Sequence, residues 1–76
     1  MNAEKLVKMA NDIGRFLEAE PERDAALEGV ASHIARFWEP RMRRELLHHL
    51  DTAGGAELRP LVLEALRAHR DRLTPK

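Results

Sequence analysis

Histidines are the residues of this 76-residue sequence that most readily suggest chemistry, and there are four of them. His48 and His49 are adjacent on a predicted helix and project about 100° apart, so they cannot chelate a metal as an i, i+4 pair would. Both fall on the polar arc of that helix, which favours a solvated pair. His33 borders an apolar helix face, and His69 lies inside an apolar arc, where a partly buried, hydrogen-bonded imidazole is expected. No set of His, Asp and Glu has the spacing of a metal site, so we predict no metal ligands.

Nucleophiles and phosphate-binding loops are equally hard to find. The sequence has no Cys, one Ser and two Thr, and Ser32 lacks the flanking glycines of a nucleophile elbow. Gly54 and Gly55 lack the further glycines and the Lys of a phosphate loop. Glu20 and Glu22 resemble the acidic residues that begin a helix rather than a catalytic pair. We therefore predict no catalytic and no cofactor-binding residues, and a chain that is not an enzyme.

Charge and hydropathy exclude several further classes of protein. Thirteen basic residues balance thirteen acidic ones, so there is no general attraction to nucleic acid or to an anionic membrane. The N-terminal region is too charged for a secretory leader, and no apolar run approaches the roughly 18 residues that span a bilayer. Without Cys for disulfides, the composition suits a reducing compartment, and we expect a cytoplasmic protein.

The elements that must position any site are helices. β-Branched residues are few and never alternate with period two, whereas Ala, Leu, Glu and Arg dominate. Apolar residues recur at the i, i+3, i+4 and i+7 spacing of amphipathic helices. The sequence therefore predicts a single all-α domain over residues 1–76, a small compact bundle of four short helices at about 3–18, 21–38, 40–52 and 58–73.

Local signals support these boundaries. Asn2 is a fair N-cap for the first helix, and Gly54 with Gly55 should stop the third. Three prolines suit the first position of the remaining helices, namely Pro21, Pro40 and Pro60. Because the second and third helices are separated by Glu39 alone, their axes must diverge sharply.

Two features of the helices leave alternatives open. Gly14 lies at the edge of the apolar half of the first helix, a half that includes Phe16 and Leu17. It is either a point of close helix approach or a tolerated mid-helix glycine costing about 1 kcal/mol. The apolar arc of the fourth helix is wider than one neighbouring helix can bury. It either covers the core from several directions or leaves a strip for a partner.

The most informative stretch lies where the second and third helices meet. It holds the single Trp, one of the two Phe and several arginines, at a rigid corner. Large aromatic side chains beside guanidinium groups are typical of protein–protein anchor sites. We predict a partner-binding site made of Arg36, Phe37, Trp38, Arg41, Met42, Arg43 and Arg44.

Two residues of this stretch have competing interpretations. Trp38 is in line with the apolar face of its helix and is either core or, if half-exposed at the helix end, an interface anchor. Arg43 falls at the middle of the apolar stripe of the third helix. It either snorkels past the end of the core or makes a bidentate contact with a carboxylate, of a partner or within the fold.

A helix-turn-helix DNA-binding protein is a less favoured alternative. Arg41, Arg43 and Arg44 begin the second of two consecutive helices, where base-reading residues would lie. Against this stand a corner tighter than the usual three- or four-residue turn and a net charge of zero. The broad apolar arc of the fourth helix also leaves open a homodimer of the isolated chain.

A family resemblance rests on segments spread over nearly the whole chain. The most specific is the run from Arg36 to Arg43, which contains the pattern Phe-Trp-x-Pro-Arg-Met-Arg. Further segments are Lys5–Val7, Met9–Asn11, Ile13–Phe16, Ala25–Ala26, Gly29–Ala31, His33–Ile34, Leu46–Leu47, Gly54–Gly55 and Leu58–Leu66. Together they resemble the small delta subunit of cytosolic, molybdenum-containing, NAD-dependent formate dehydrogenases.

This resemblance implies a non-catalytic accessory subunit that binds the large, molybdenum-containing catalytic subunit and supports its assembly or stability. It implies no cofactor in this chain. The partner subunits are expected to carry bis-molybdopterin guanine dinucleotide, iron–sulfur clusters and FMN. A transient assembly factor, present only while the molybdenum cofactor is inserted, is the alternative within the same resemblance.

Overall fold

Five helices make up the chain in a computed structural model that describes residues 2–76. They are α1 (Ala3–Leu17), α2 (Arg23–Phe37), α3 (Pro40–Ala53), α4 (Pro60–Ala68) and α5 (Arg70–Leu73). There is no strand within those residues. The predicted all-α class is confirmed, and three of the four predicted helices appear within a few residues of their expected bounds.

The four predicted helices are present as α1 to α4, and the last part of the predicted fourth helix is a separate turn of four residues, α5. His69 leaves the helical region with φ −115° and ψ 25°, although its N–H still donates to the Ala65 carbonyl at 3.0 Å. The chain then makes the single turn of α5, and this places Leu73 in the core with 1% of its surface exposed. An unbroken helix would have a single axis, whereas the break at His69 allows α4 and α5 to contribute core residues from different directions.

The start of α2 also differs from the prediction. Pro21 is not its first residue, because Glu22 takes an extended conformation (φ −87°, ψ 118°) and acts as the N-cap of a helix that begins at Arg23. The Glu22 N–H donates to the Glu20 side chain at 3.2 Å. Glu20 therefore satisfies a backbone donor of the α1–α2 connection.

The other predicted helix ends are present. The Asn2 side chain accepts a hydrogen bond from the Lys5 N–H at 2.9 Å, as an N-cap does. Pro40 and Pro60 occupy the first positions of α3 and α4. Gly54 ends α3 in the left-handed region, at φ 78°, where a side chain would be strained.

One hydrophobic core joins all five helices. Its largest fully buried side chains are Leu6, Ile34, Leu46, Leu61, Leu66, Leu73, Val30 and Val62. The broad apolar arc of the fourth predicted helix therefore faces inward. Leu63, which widens the arc, is half-buried and packs against the edge of the core.

Gly14 is a point of close approach between α1 and α4. It is buried, and a Cβ atom at this position would lie 2.4 Å from Cγ2 of Val62. Real Cβ atoms do not come so close, so only glycine allows the two helices their present separation. The first of the two interpretations of Gly14 is the one that the structure shows.

The loop between α3 and α4 is held by a side chain of α1. Asn11 donates from Nδ2 to the carbonyl of Glu57 at 3.0 Å and accepts at Oδ1 from the N–H of Arg59 at 2.9 Å. Both halves of the amide are used, so this side chain substitutes for the backbone partners that the loop lacks.

Ion pairs between helices lie around the rim of the core. Arg59 donates two hydrogen bonds to Glu18 at 2.6 and 2.7 Å, and Arg70 donates two to Asp51 at 2.8 and 2.6 Å. Further pairs join Arg23 with Glu64 and Arg72 with Glu28.

None of the helices formed by residues 2–76 combines the length and the apolar character that a membrane span requires.

Candidate functional site

The corner between α2 and α3 consists of two residues, one more than the sequence suggested. Trp38 and Glu39 are both extended, with φ/ψ of −91°/135° and −66°/154°, and Pro40 then begins α3. The Trp38 N–H still donates to the Ile34 carbonyl at 3.0 Å, which completes the last turn of α2. This connection is shorter than the three- or four-residue turn of DNA-binding helix pairs.

Two adjacent aromatic residues at this corner have opposite environments. Trp38 is 5% exposed and belongs to the core, whereas Phe37 is 67% exposed. The core interpretation of Trp38 is therefore the one that the structure shows. In the folded chain its indole cannot act as an exposed interface anchor, because the extended backbone at Trp38 returns the ring to the interior.

Phe37 forms an exposed cluster with two other residues of α2. The His33 and Phe37 rings lie 4.9 Å apart between centroids and are tilted by 45°. The Arg36 guanidinium carbon lies 5.8 Å from the centroid of the Phe37 ring, within the range of a cation–π contact. Such contacts at exposed sites contribute about 0.5–1 kcal/mol, so they orient the ring and the guanidinium on the surface.

The remaining residues of the predicted site lie on α3 and diverge. Arg41 is exposed and Met42 is half-buried, and both border a cavity of about 270 Å³ with Glu39 and Glu45. Arg44 is exposed and faces a different cavity. The seven predicted residues therefore do not share one surface, although whether any of them binds a partner stays a prediction.

Arg43 is half-buried and makes no contact with a carboxylate of residues 2–76, so its contact with a carboxylate of a partner stays a prediction. Its Nε atom is buried and has no hydrogen-bond partner within residues 2–76. The side chain borders a shallow cavity of about 670 Å³ with five residues of the C-terminal segment, namely Asp71, Arg72, Thr74, Pro75 and Lys76. No carboxylate of the described chain pairs with it.

The histidines behave partly as expected. His48 is exposed, whereas His49 is half-buried, with Nε2 3.2 Å from Oε1 of Glu57, so the two are not a solvated pair. His69 is half-buried at the break between α4 and α5. No group of three or more potential ligands that could hold a metal ion occurs among residues 2–76.

An exposed apolar groove between α1 and α2 was not anticipated from the sequence. Its volume is about 370 Å³, and its lining residues are Asp12, Ile13, Phe16, Leu17, Gly29 and His33. Phe16, expected in the apolar half of α1, is 81% exposed. α2 packs closely against Leu17, and a Cβ atom at Gly29 would lie 3.0 Å from Leu17 Cδ2. The neighbouring residue of α1, Phe16, is left uncovered.

Electrostatic perturbations lie at the ion pairs between helices. The two hydrogen bonds from Arg59 lower the pKa of Glu18, with help from its positive charge. The hydrogen bonds from Arg70 likewise lower the pKa of Asp51. Each carboxylate pairs with an arginine from a distant part of the chain: Glu18, the C-cap of α1, with Arg59, the N-cap of α4, and Asp51 of α3 with Arg70 of α5.

Comparison with protein families identifies the chain. Residues 5–66 match the family described as NADH-dependant formate dehydrogenase delta subunit FdsD. Comparisons with curated proteins and with solved structures find no significant match. The family match confirms the resemblance carried by the Arg36–Arg43 run and its flanking segments. The chain therefore belongs to the FdsD family of formate dehydrogenase delta subunits, and as a delta subunit it partners the other subunits of that complex.

Proposed function

We propose that this chain is a non-catalytic accessory subunit that binds the large, molybdenum-containing catalytic subunit and supports its assembly or stability. The observation that carries the proposal is the exposed cluster of Phe37 and Arg36 at the end of α2. Aromatic and arginine side chains dominate the binding energy of protein–protein interfaces. In this proposal the partner subunits hold bis-molybdopterin guanine dinucleotide, iron–sulfur clusters and FMN.

The ionisable groups support a structural role for this subunit. A carboxyl group that acts as a general acid near neutral pH has a raised pKa. The hydrogen bonds from arginines instead lower the pKa values of Glu18, Glu28 and Asp51. These carboxylates are held ionised, as suits ion pairs that fix helices.

Chain size supports a role that depends on association. A domain of this length buries only about 60% of its unfolded surface, so its own core is marginal. Covering Phe37 and its neighbours with a large partner would add apolar burial that the isolated chain cannot make. The same contact would stabilise both proteins by mass action, because each binds the folded form of the other.

Removing the chain from cells that produce the other subunits tests the proposal. The expected result is less intact catalytic subunit, or a lower Tm of the purified enzyme, with kcat per bound molybdenum unchanged. Restoring the chain should restore the amount or the Tm. A fall in kcat per molybdenum, with the amount and Tm of the enzyme unchanged, would contradict the proposal and point to a catalytic role.

A transient assembly factor for molybdenum cofactor insertion is the second candidate. It is favoured by the closed core of the single chain, in which Trp38 and Leu73 are covered without a partner. A chain that leaves the complex needs such a self-contained fold. Recovery in equal amounts with active enzyme supports the permanent subunit, whereas loss from mature, molybdenum-loaded enzyme supports the transient factor.

A further inference from the structure

Two of the three aromatic residues other than histidine are exposed, and both border the same face of the molecule. Phe16 lines the groove between α1 and α2, and so does His33. His33 also contacts Phe37, at 4.9 Å between ring centroids. His33 therefore connects the two exposed rings into one continuous surface, which we call the α1–α2 face and define by Asp12, Phe16, His33, Arg36 and Phe37.

The shape of the α1–α2 face suits an inserted side chain. The groove has a volume of about 370 Å³, and its floor contains Ile13, Leu17 and Gly29. Ile13 and Leu17 are half-buried and pack against the core, so the floor is both apolar and fixed. Phe16, at 81% exposure, lines the groove, and Phe37, at 67%, contacts the groove residue His33. A partner that covers both rings would remove their exposed apolar area from water.

Resting on the proposed function, we propose that the α1–α2 face is the docking surface for a segment of the catalytic subunit that inserts an apolar side chain into the groove and places a carboxylate against Arg36. The partner is thus an amphipathic, acidic segment. Phe16 and Phe37 act as the apolar anchors of the contact, and Arg36 supplies its charge recognition.

The position of Arg36 beside the exposed Phe37 ring favours an occupant that has both an apolar side chain and a carboxylate. The Arg36 guanidinium contacts the Phe37 ring and has no ion pair within residues 2–76. A carboxylate placed over it gains a charge-assisted, bidentate hydrogen bond beside an apolar surface that excludes water. A second copy of the chain would offer Asp12 as the carboxylate of its own α1–α2 face, and self-association of the isolated chain tests that occupant.

Affinity measurements on the full chain and enzyme purified without it test the proposal. The double variant Phe16→Ala/Phe37→Ala should raise Kd by at least about 30-fold, because both anchors are lost. Arg36→Glu should raise Kd about tenfold, by a factor that shrinks as salt is added. The matched control is Arg67→Glu, since Arg67 is also exposed, on α4, and likewise lacks an ion pair in the described chain.

A second measurement, photo-cross-linking, tests the docking surface in case the alanine variants alter folding. p-Benzoylphenylalanine in place of Phe16 should photo-cross-link to the catalytic subunit, whereas the same group in place of Arg67 should not. If the wild-type chain binds and all variants bind equally, the docking surface is wrong and the proposed function stands. If the wild-type chain does not bind the enzyme, both fail. If the Phe variants abolish only self-association of the isolated chain, the occupant is a second copy and the proposal is overturned.

Discussion

Phe37 and Trp38 are neighbours in sequence, yet one is two-thirds exposed and the other is 5% exposed. Both are large and apolar, and both lie at the end of α2. Trp38 leaves the helix in an extended conformation and is covered by the core, while Phe37 remains on the last helical turn and faces solvent. Trp38 therefore helps to hold the fold, whereas Phe37 is left at the surface, although their chemistry is alike.

The largest effect is expected at Trp38. Trp38→Ala should cost about 3–5 kcal/mol of the free energy of unfolding, as for other large aromatic residues in cores. A domain of this size has roughly 4–11 kcal/mol in total, so much of the variant should unfold at moderate temperature. Urea unfolding followed by circular dichroism measures this. Phe37→Ala is the matched control and should change stability by less than about 0.5 kcal/mol. Equal losses of unfolding free energy in the two variants would contradict the assignment of Trp38 to the core and of Phe37 to the surface.

A smaller effect is expected at Gly14, inside the packed region. Gly14→Ala places a methyl group against Val62, which is stiff at χ1, and overpacking of this kind costs about 1–3 kcal/mol. The better helix propensity of Ala returns about 1 kcal/mol, so a net loss should remain. Val62→Ala in the same chain should recover part of it, and a double-mutant cycle measures the coupling. Stabilisation by Gly14→Ala would show that the space between α1 and α4 accommodates a methyl group at this position.

The smallest effect is expected at the rim, and it depends on pH. The Glu18 pKa is lowered by Arg59, so this ion pair stabilises the fold above the ordinary value of 4.5 and is lost as the pH falls below it. As the pH falls from neutral to below 4.5, the free energy of unfolding should therefore decrease less in Glu18→Gln than in the wild-type chain. The urea midpoint, measured as a function of pH, gives the slope of this decrease. Glu45→Gln is the control, because Glu45 has no ion pair among residues 2–76, and an identical slope for both variants would contradict the assignment.

Most of the fold was predictable, because it depends on local rules. Apolar spacing placed α1 and α3, and the caps at Asn2 and Gly54 and the prolines at 40 and 60 have the roles expected of them. The break at His69 was not predictable, because the apolar arc runs through it without a Gly or Pro. Tertiary packing decides there, since the break is what carries Leu73 into the core.

The candidate site was harder to predict, because exposure depends on where neighbouring helices stop. A helical wheel places Phe16 in the same apolar half as Leu17, and the wheel contains no information on which edge α2 covers. The close packing of Gly29 against Leu17 settles that edge and leaves Phe16 outside. Phe37 is exposed and stays a predicted partner contact, while its neighbour Trp38 is core. The exposure of Phe16 and Phe37 is thus a property of helix arrangement and is not encoded at any single residue.

Asn11 has a consequence for the chemical ageing of the protein. Its amide donates to the Glu57 carbonyl and accepts from the Arg59 N–H, so the loop before α4 needs both an NH₂ and an oxygen at the same side chain. Deamidation would replace the NH₂ by an oxygen and set a carboxylate against that carbonyl. In the aspartate product the shape of the side chain would be unchanged, yet its attraction for the loop would become repulsion on one side. A single hydrolysed amide is therefore enough to loosen the connection that leads into α4, without any change to the hydrophobic core.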